Sequence, residues 1–353
     1  MRRYSYLSRL LLLLVCFSFI GAVSPNNARP AVPESCVQYG AFSKNVSYIV
    51  ARREGFFERE GLTVCYNQVR SSDQQYADLF AGRYDIISAS SDTIITRYVN
   101  LNLPLSMIAG LEMNNDQVLA VNTARGINSF EDLRGKPIAV DAPDTGFSFL
   151  LRKILAEHGL RLENGDYTLQ PIGGVALRYA ALQAGQTASG QPVYASMINY
   201  PFAAQLHEPV TVLARAEDYV FPYQGGAFAV RHDYSASHPD TITHFLRAII
   251  DGGEFARRPR NRAVVIAYIA AELGVTNEIA ERELEASLDR QTGENHKAKI
   301  DKQALIGTIE LRQEFNGFTA PLSDINQLVK PCENCLYDDR FWKAAIDNSN
   351  NLY

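Results

Sequence analysis

Two stretches place small, hydroxyl-bearing and acidic residues where an apolar run gives way to a helix-like pattern. The first is VDAPDTGFSFLL at 140–151, where Asp144 or Thr145 can cap a helix and Gly146 leaves its first-turn N–H groups approachable. Free N–H donors at the positive end of a helix dipole favour an anionic or polar acceptor group. The second is SASSDTII at 88–95, with hydroxyls at Ser88, Ser90 and Ser91 and then Asp92 starting a helix. There the acid would repel an anion and accept a hydrogen bond from a ligand donor. One such strand-end device in each half points to a ligand held between two lobes, since ligands of open α/β sheets sit beyond the carboxyl ends of strands. Signals for catalysis are absent: the chain has no GxSxG, no HExxH and no Walker A loop. Its six histidines show no i,i+4 ligand pair, and acids such as Glu281 and Glu285 read as an exposed helix face. No catalytic residue, metal site or cofactor is expected.

The elements that must position these groups alternate. Strand-like runs at Cys36–Gly40, Leu62–Tyr66, Asp85–Ala89, Leu105–Ala109 and Gln117–Val121 are separated by helix-like runs at 46–54, 73–81 and 92–99. A second series follows from SFEDLRGKPIAV, with strands at Pro137–Val140, Tyr167–Pro171 and Tyr194–Met197 and a helix over 176–184. One more strand is expected at Ala227–Arg231, then mostly helix, with apolar spacing over 242–255 and 262–273. This alternation predicts an α/β fold with largely parallel sheets. A length of 353 residues allows a large core and two domains.

Arg2, Arg3 and Arg9 precede an apolar run from Leu10 to Ile20, with Gly21 and Ala22 after it. That pattern predicts a signal peptide over 1–22 with cleavage near Ala22, because the run is short for a membrane span. Residues 23–33 are Pro- and Asn-rich and read as a tether. Loss of residues 1–22 would remove three arginines and no acid, taking the formal charge from −5 to −8. An acidic exported chain without basic runs is not a nucleic-acid binder. Four cysteines follow, Cys36, Cys65, Cys332 and Cys335, and an even number in an exported chain favours disulfides over metal binding. The pairing is open: Cys332 and Cys335 in PCENC could close locally, and Cys36 and Cys65 sit in runs that could be neighbouring strands.

The order YIVARREGFFEREGLTV, LFAGRYDI, SFEDLRGKPIAVD, FLLRKILAEHGL, ALQAGQ and GGAFAVRHDYSASHPDTITHFLRAI resembles the exported solute-binding proteins of ABC importers. The branch is the one that includes aliphatic-sulfonate, taurine, nitrate and thiamine-pyrimidine binders. The resemblance implies a two-lobed type II periplasmic-binding-protein fold, each lobe a mostly parallel sheet flanked by helices. Lobe one would be 34–121 plus 226–353 and lobe two 122–225, joined by crossing strands at Gln117–Val121 and Ala227–Arg231. By the same analogy the cleft would be lined by Ser43, Asn45, Ser91 and Asp92 from lobe one and Thr145, Gly146, Phe147, Arg178, Tyr200 and Phe202 from lobe two. Tyr223 and Gln224 would lie at its mouth. A small-molecule ligand, a membrane permease as partner, a monomer, and a periplasmic or secreted location complete what the resemblance implies. The chain departs from it in ALQAGQTASGQP, which lacks the acid often found after AGQ, and in having no arginine beside Thr145, which weakens a sulfonate or nitrate assignment. Two rivals share the fold. One is an enzyme related to thiamine-pyrimidine synthesis, with Lys44 as its available amine. That family is cytosolic and carries a cysteine cluster where this chain reads YQGGAFAV. The other is a secreted binding or sensor protein without a transporter.

Overall fold

The computed structural model describes residues 36–113 and 117–349; the expected signal peptide and tether lie outside them. Among the described residues ten strands form two five-stranded sheets. The first contains β1 (Val37–Ala41), β2 (Val64–Gln68), β3 (Ile86–Ser90) and β4 (Leu105–Met113). The second contains β5 (Val118–Asn122), β6 (Pro137–Val140), β7 (Thr168–Pro171), β8 (Ala195–Ile198) and β9 (Val210–Arg215). The tenth strand, β10 (Gln224–Arg231), returns to the first sheet. The orders are β2-β1-β3-β10-β4 and β7-β6-β8-β5-β9. Within each sheet one strand runs against its neighbours: β10 is antiparallel to β3 and β4, and β5 is antiparallel to β8 and β9. The two sheets thus repeat one plan, mostly parallel with a single reversed strand.

Strands buried on both faces explain the apolar runs seen in the sequence. Along β5, Leu119 and Val121 face one core while Val118 and Ala120 face another, the period-two alternation of a pleated strand. On the first of these faces the Gly146–Glu157 helix packs Leu151, Ile154 and Leu155. On the other the Val175–Ala184 helix packs Leu182. β10 alternates likewise, Phe228 and Val230 into one core and Ala227 and Ala229 into its opposite. The Pro239–Ala256 helix lays Ile242, Phe245, Leu246 and Ile249 on that first face, spacing that forms one helical stripe. There the rings of Phe57 and Phe245 stack at 5.4 Å.

The sheet pairings move one boundary. β5 belongs wholly to the second sheet, so the chain leaves the first sheet between Met113 and Val118 rather than after Val121. β10 belongs wholly to the first, so the return lies between Arg215 and Gln224. One strand, β9, was not anticipated from the sequence. It is an edge strand, VTVLAR, with Val210 and Ala214 buried and Thr211 and Val212 exposed.

Both disulfides are local to sheet edges. Cys36 is bonded to Cys65 with Cα atoms 5.7 Å apart, tying the entry to β1 onto edge strand β2. Cys332 is bonded to Cys335, just before Leu336–Asp338 covers the other edge. There Met107 N donates to Leu336 O at 2.8 Å, and Asp338 N donates to Met107 O at 2.9 Å. Replacing Cys36 and Cys65 together by serine frees a loop spanning 29 residues. It should lower unfolding free energy by about 3–4 kcal/mol on chain-entropy grounds. Urea titration reads this directly, and an unchanged midpoint would show that the bond carries no stability.

Candidate functional site

The C-terminal ends of the parallel strands in both sheets converge on one cavity, with about 780 Å³ of empty space including its open mouth. The first-sheet side supplies Phe42, Ser43, Lys44 and Asn45 after β1, Ser88 to Ser90 at the end of β3, and Leu111 and Glu112 in β4. It also brings Glu283 and Ser287 from the Asn277–Leu288 helix, and Glu294 beyond it. The second-sheet side supplies Asp141 after β6, Phe147, then Gly174, Val175 and Arg178, and Asn199 to Pro201 after β8.

Long-range contacts hold the first of these loops. The Val46–Arg53 helix has no side-chain cap from Asn45. Glu294 takes that place: its carboxylate accepts from Val46 N at 2.6 Å and Ser47 N at 3.1 Å, and from the Ser47 hydroxyl. A carboxylate at a helix N-terminus satisfies otherwise orphaned donors and suits the dipole. The result is that Ser43 to Asn45 are fixed at the cavity wall. Other bonds cross from one sheet's side to the other. Gly174 N donates to Arg70 O at 2.9 Å, and the Ser72 hydroxyl donates to the Asp141 carboxylate.

Electrostatically the cavity is acidic. Burial, then the nearby Glu294, pushes the Glu112 carboxyl up to about 7. Burial raises Glu283 and Glu294 as well, with Glu294 and Glu112 adding to the effect at Glu283. Asp141 is raised by burial against the pull of Ser72 and Arg178. The two cations in the wall are committed elsewhere. Lys44 pairs with Glu272 at 2.6 Å. Arg178 donates to Gly173 O at 2.7 Å and Met197 O at 3.3 Å, and burial lowers its guanidinium to about 10.

Of the residues expected at the ligand, Ser43, Asn45, Phe147, Arg178 and Tyr200 line the cavity. The others do not. Asp92 is fully buried and grips Arg312, whose Nε and Nη2 donate to its two oxygens at 2.8 and 2.5 Å, so it serves a core ion pair away from the cavity wall. Ser91 is buried beside it in the same helix start. Thr145 does not cap its helix; its hydroxyl donates to Ala142 O at 3.0 Å. Gly146 is pressed against the first-sheet side, where an added Cβ would meet Ser90 Oγ at 2.6 Å and Asp92 Cβ at 2.8 Å. Its helix end is therefore docked onto protein rather than open to an anion. Phe202 packs on Tyr179 at 5.4 Å, and Tyr223 is core. The Gln224 amide donates to Glu112 O at 3.0 Å, to Gly226 O at 2.8 Å and to Asn295 Oδ1 at 2.8 Å.

Sequence reasoning missed Phe42, Glu112, Asp141, Glu283, Ser287, Asn199 and Glu294 as cavity residues. Glu283 had a visible signal. Glu281 and Glu285 share a helix face and meet Arg262 outside, which turns Glu283 inward.

The sequence matches the family model described as NMT1/THI5 like over residues 43–262. The chain belongs to that family. The solute-binding resemblance of the YIVARREGFFEREGLTV and SFEDLRGKPIAVD motifs is thereby confirmed. Solved structures show the same fold. A Bordetella bronchiseptica RB50 protein superposes with a TM-score of 0.72 at 16% identity, covering 90% of this chain and 99% of that one. The alkanesulfonate-binding protein SsuA from Xanthomonas axonopodis pv. citri, bound to MOPS, gives 0.67 at 19%, covering 81% and 95%. The desulfurization enzyme DSZB gives 0.56 at 17%, covering 90% and 100%. Among curated proteins none matches in sequence. The NMT1/THI5-like chain thus has a periplasmic-binding-protein fold on which both binders and an enzyme are built.

Proposed function

We propose that this NMT1/THI5-like protein is an exported solute-binding protein that captures a small solute between its two sheets and hands it to the permease of an ABC importer. The observation that carries the reading is a cavity with walls from the strand ends of both sheets. A solute touching both walls would favour the closed arrangement, and a permease can recognise that state. The two disulfides fit an oxidising compartment, periplasmic or secreted. In this reading the cavity residues bind and orient, and the chain works as a monomer.

A thermal-shift screen of the purified protein tests it, with sulfonates, nitrate, pyrimidines, aromatic acids and organic amines. A binder raises the melting temperature in a concentration-dependent way. Turnover of any of these compounds would favour the enzyme alternative instead. A binder without a neighbouring permease gene would favour a secreted sensor.

A further inference from the structure

The charged groups around the cavity do not balance. Glu283 is 3% exposed, lines the cavity, and its Oε2 has no hydrogen-bond partner. Glu112 lines the same cavity close enough to repel it, and among the described residues no cation offsets either carboxyl. Their acidic neighbour Glu294 is occupied by the N-terminus of the Val46–Arg53 helix. A buried carboxylate without a counter-charge is costly, and the cost is removed by a proton or by a bound cation. The rest of the wall mixes hydroxyl, amide and charged side chains with apolar ones, and Phe42, Phe147 and Tyr200 are its aromatic members. Rings of this kind attract an organic cation through their faces. Among the described residues no three metal-ligating side chains are gathered to hold a metal ion.

We propose that the cavity takes an organic cation, a small ammonium- or amidinium-bearing molecule whose charge is met by Glu112 and Glu283 and whose body lies against Phe42, Phe147 and Tyr200. The proposal rests on the reading of this cavity as the solute site and names the class of solute.

Calorimetric titration of the purified protein with benzylammonium, tyramine and choline tests it, beside methanesulfonate, nitrate, Zn2+ and Ca2+. At least one ammonium probe should bind, with affinity at least about tenfold weaker in Glu283→Gln and in Glu112→Gln, the order expected for a buried charged contact. Glutamine keeps the shape and removes an uncompensated charge, so both variants should melt no lower than the parent at neutral pH. Binding should also strengthen as pH rises from about 6 to about 8, by up to about tenfold per unit for each proton displaced. The other charges facing this pair are Glu294 with Arg257 beside it, Asp141 with Arg178, and Lys44 with Glu272; each of these acids already has a cation near it. Binding of methanesulfonate or nitrate without any ammonium probe would overturn the proposal and leave the solute-binding reading standing. So would Zn2+ or Ca2+ binding alone that is lost in the two variants. Failure of these probes together with the whole solute screen would remove both.

Discussion

Arg312→Met is expected to destabilise the protein by about 3–5 kcal/mol, the range for breaking a buried ion pair. Arg312 is 1% exposed and Asp92 is fully buried, so loss of the guanidinium leaves a carboxylate in the core with no counter-charge. Burial already raises the Asp92 carboxyl despite Arg312, so in the variant it would take up a proton rather than remain charged. The guanidinium also holds the second-sheet side: it donates to Asp144 O and lies 4.0 Å from the centre of the Phe149 ring. Its removal therefore loosens the turn ahead of Gly146 as well as the core. The double variant Asp92→Leu/Arg312→Met should recover much of the loss, because an apolar pair of similar volume carries no desolvation penalty. Urea denaturation of the parent, single and double variants checks this. A single variant as stable as the parent would show that Asp92 has another partner.

The second large effect is on stability against pH. Glu112 keeps its proton to about pH 7 in the folded chain, while in the unfolded chain it titrates near its ordinary value. Between these values the folded state binds more protons, so stability falls as pH rises. The contribution is complete below the unfolded value and lost once pH has passed the folded one. For Glu112 alone it is on the order of 2–3 kcal/mol, reduced by water in the open cavity. Glu283, raised by burial and by Glu294 and Glu112, acts in the same direction. His232, lowered by burial, opposes it, since stability from a neutral buried imidazole is lost as pH falls. Glu272, lowered by Lys44, Arg52 and Arg53, acts only at more acidic pH. Melting curves from about pH 5 to about pH 7.5 should therefore decline in the parent and flatten in Glu112→Gln and Glu283→Gln. Identical slopes in all three would show that neither carboxyl titrates in this window.

Much of the fold was legible because the inner strands of each sheet, such as β3, β5, β8 and β10, are short buried runs separated by amphipathic helices. β9 was missed although VTVLAR is a β-branched and apolar run of the kind that marks a strand. The site was half legible. Ser43, Asn45, Phe147 and Tyr200 follow strand ends or open a helix, and local sequence marks those places. Asp92 was misread because its partner Arg312 lies 220 residues further along, where no spacing rule connects them. Glu294 and Glu283 were missed for the same reason: the first caps a helix 248 residues earlier, and the second reaches the cavity from a late helix. Acidity of the cavity is thus a property of the fold rather than of any motif.

The most direct measurement is amide hydrogen exchange with and without the tightest solute from the screen. Slowed exchange is expected in the loop after β1 around Phe42–Asn45, around Gly174–Arg178, and at Glu283–Glu294, together and from both sheets' sides. Protection confined to one sheet's side, or located away from these segments, would contradict the claim that a solute is held between the two.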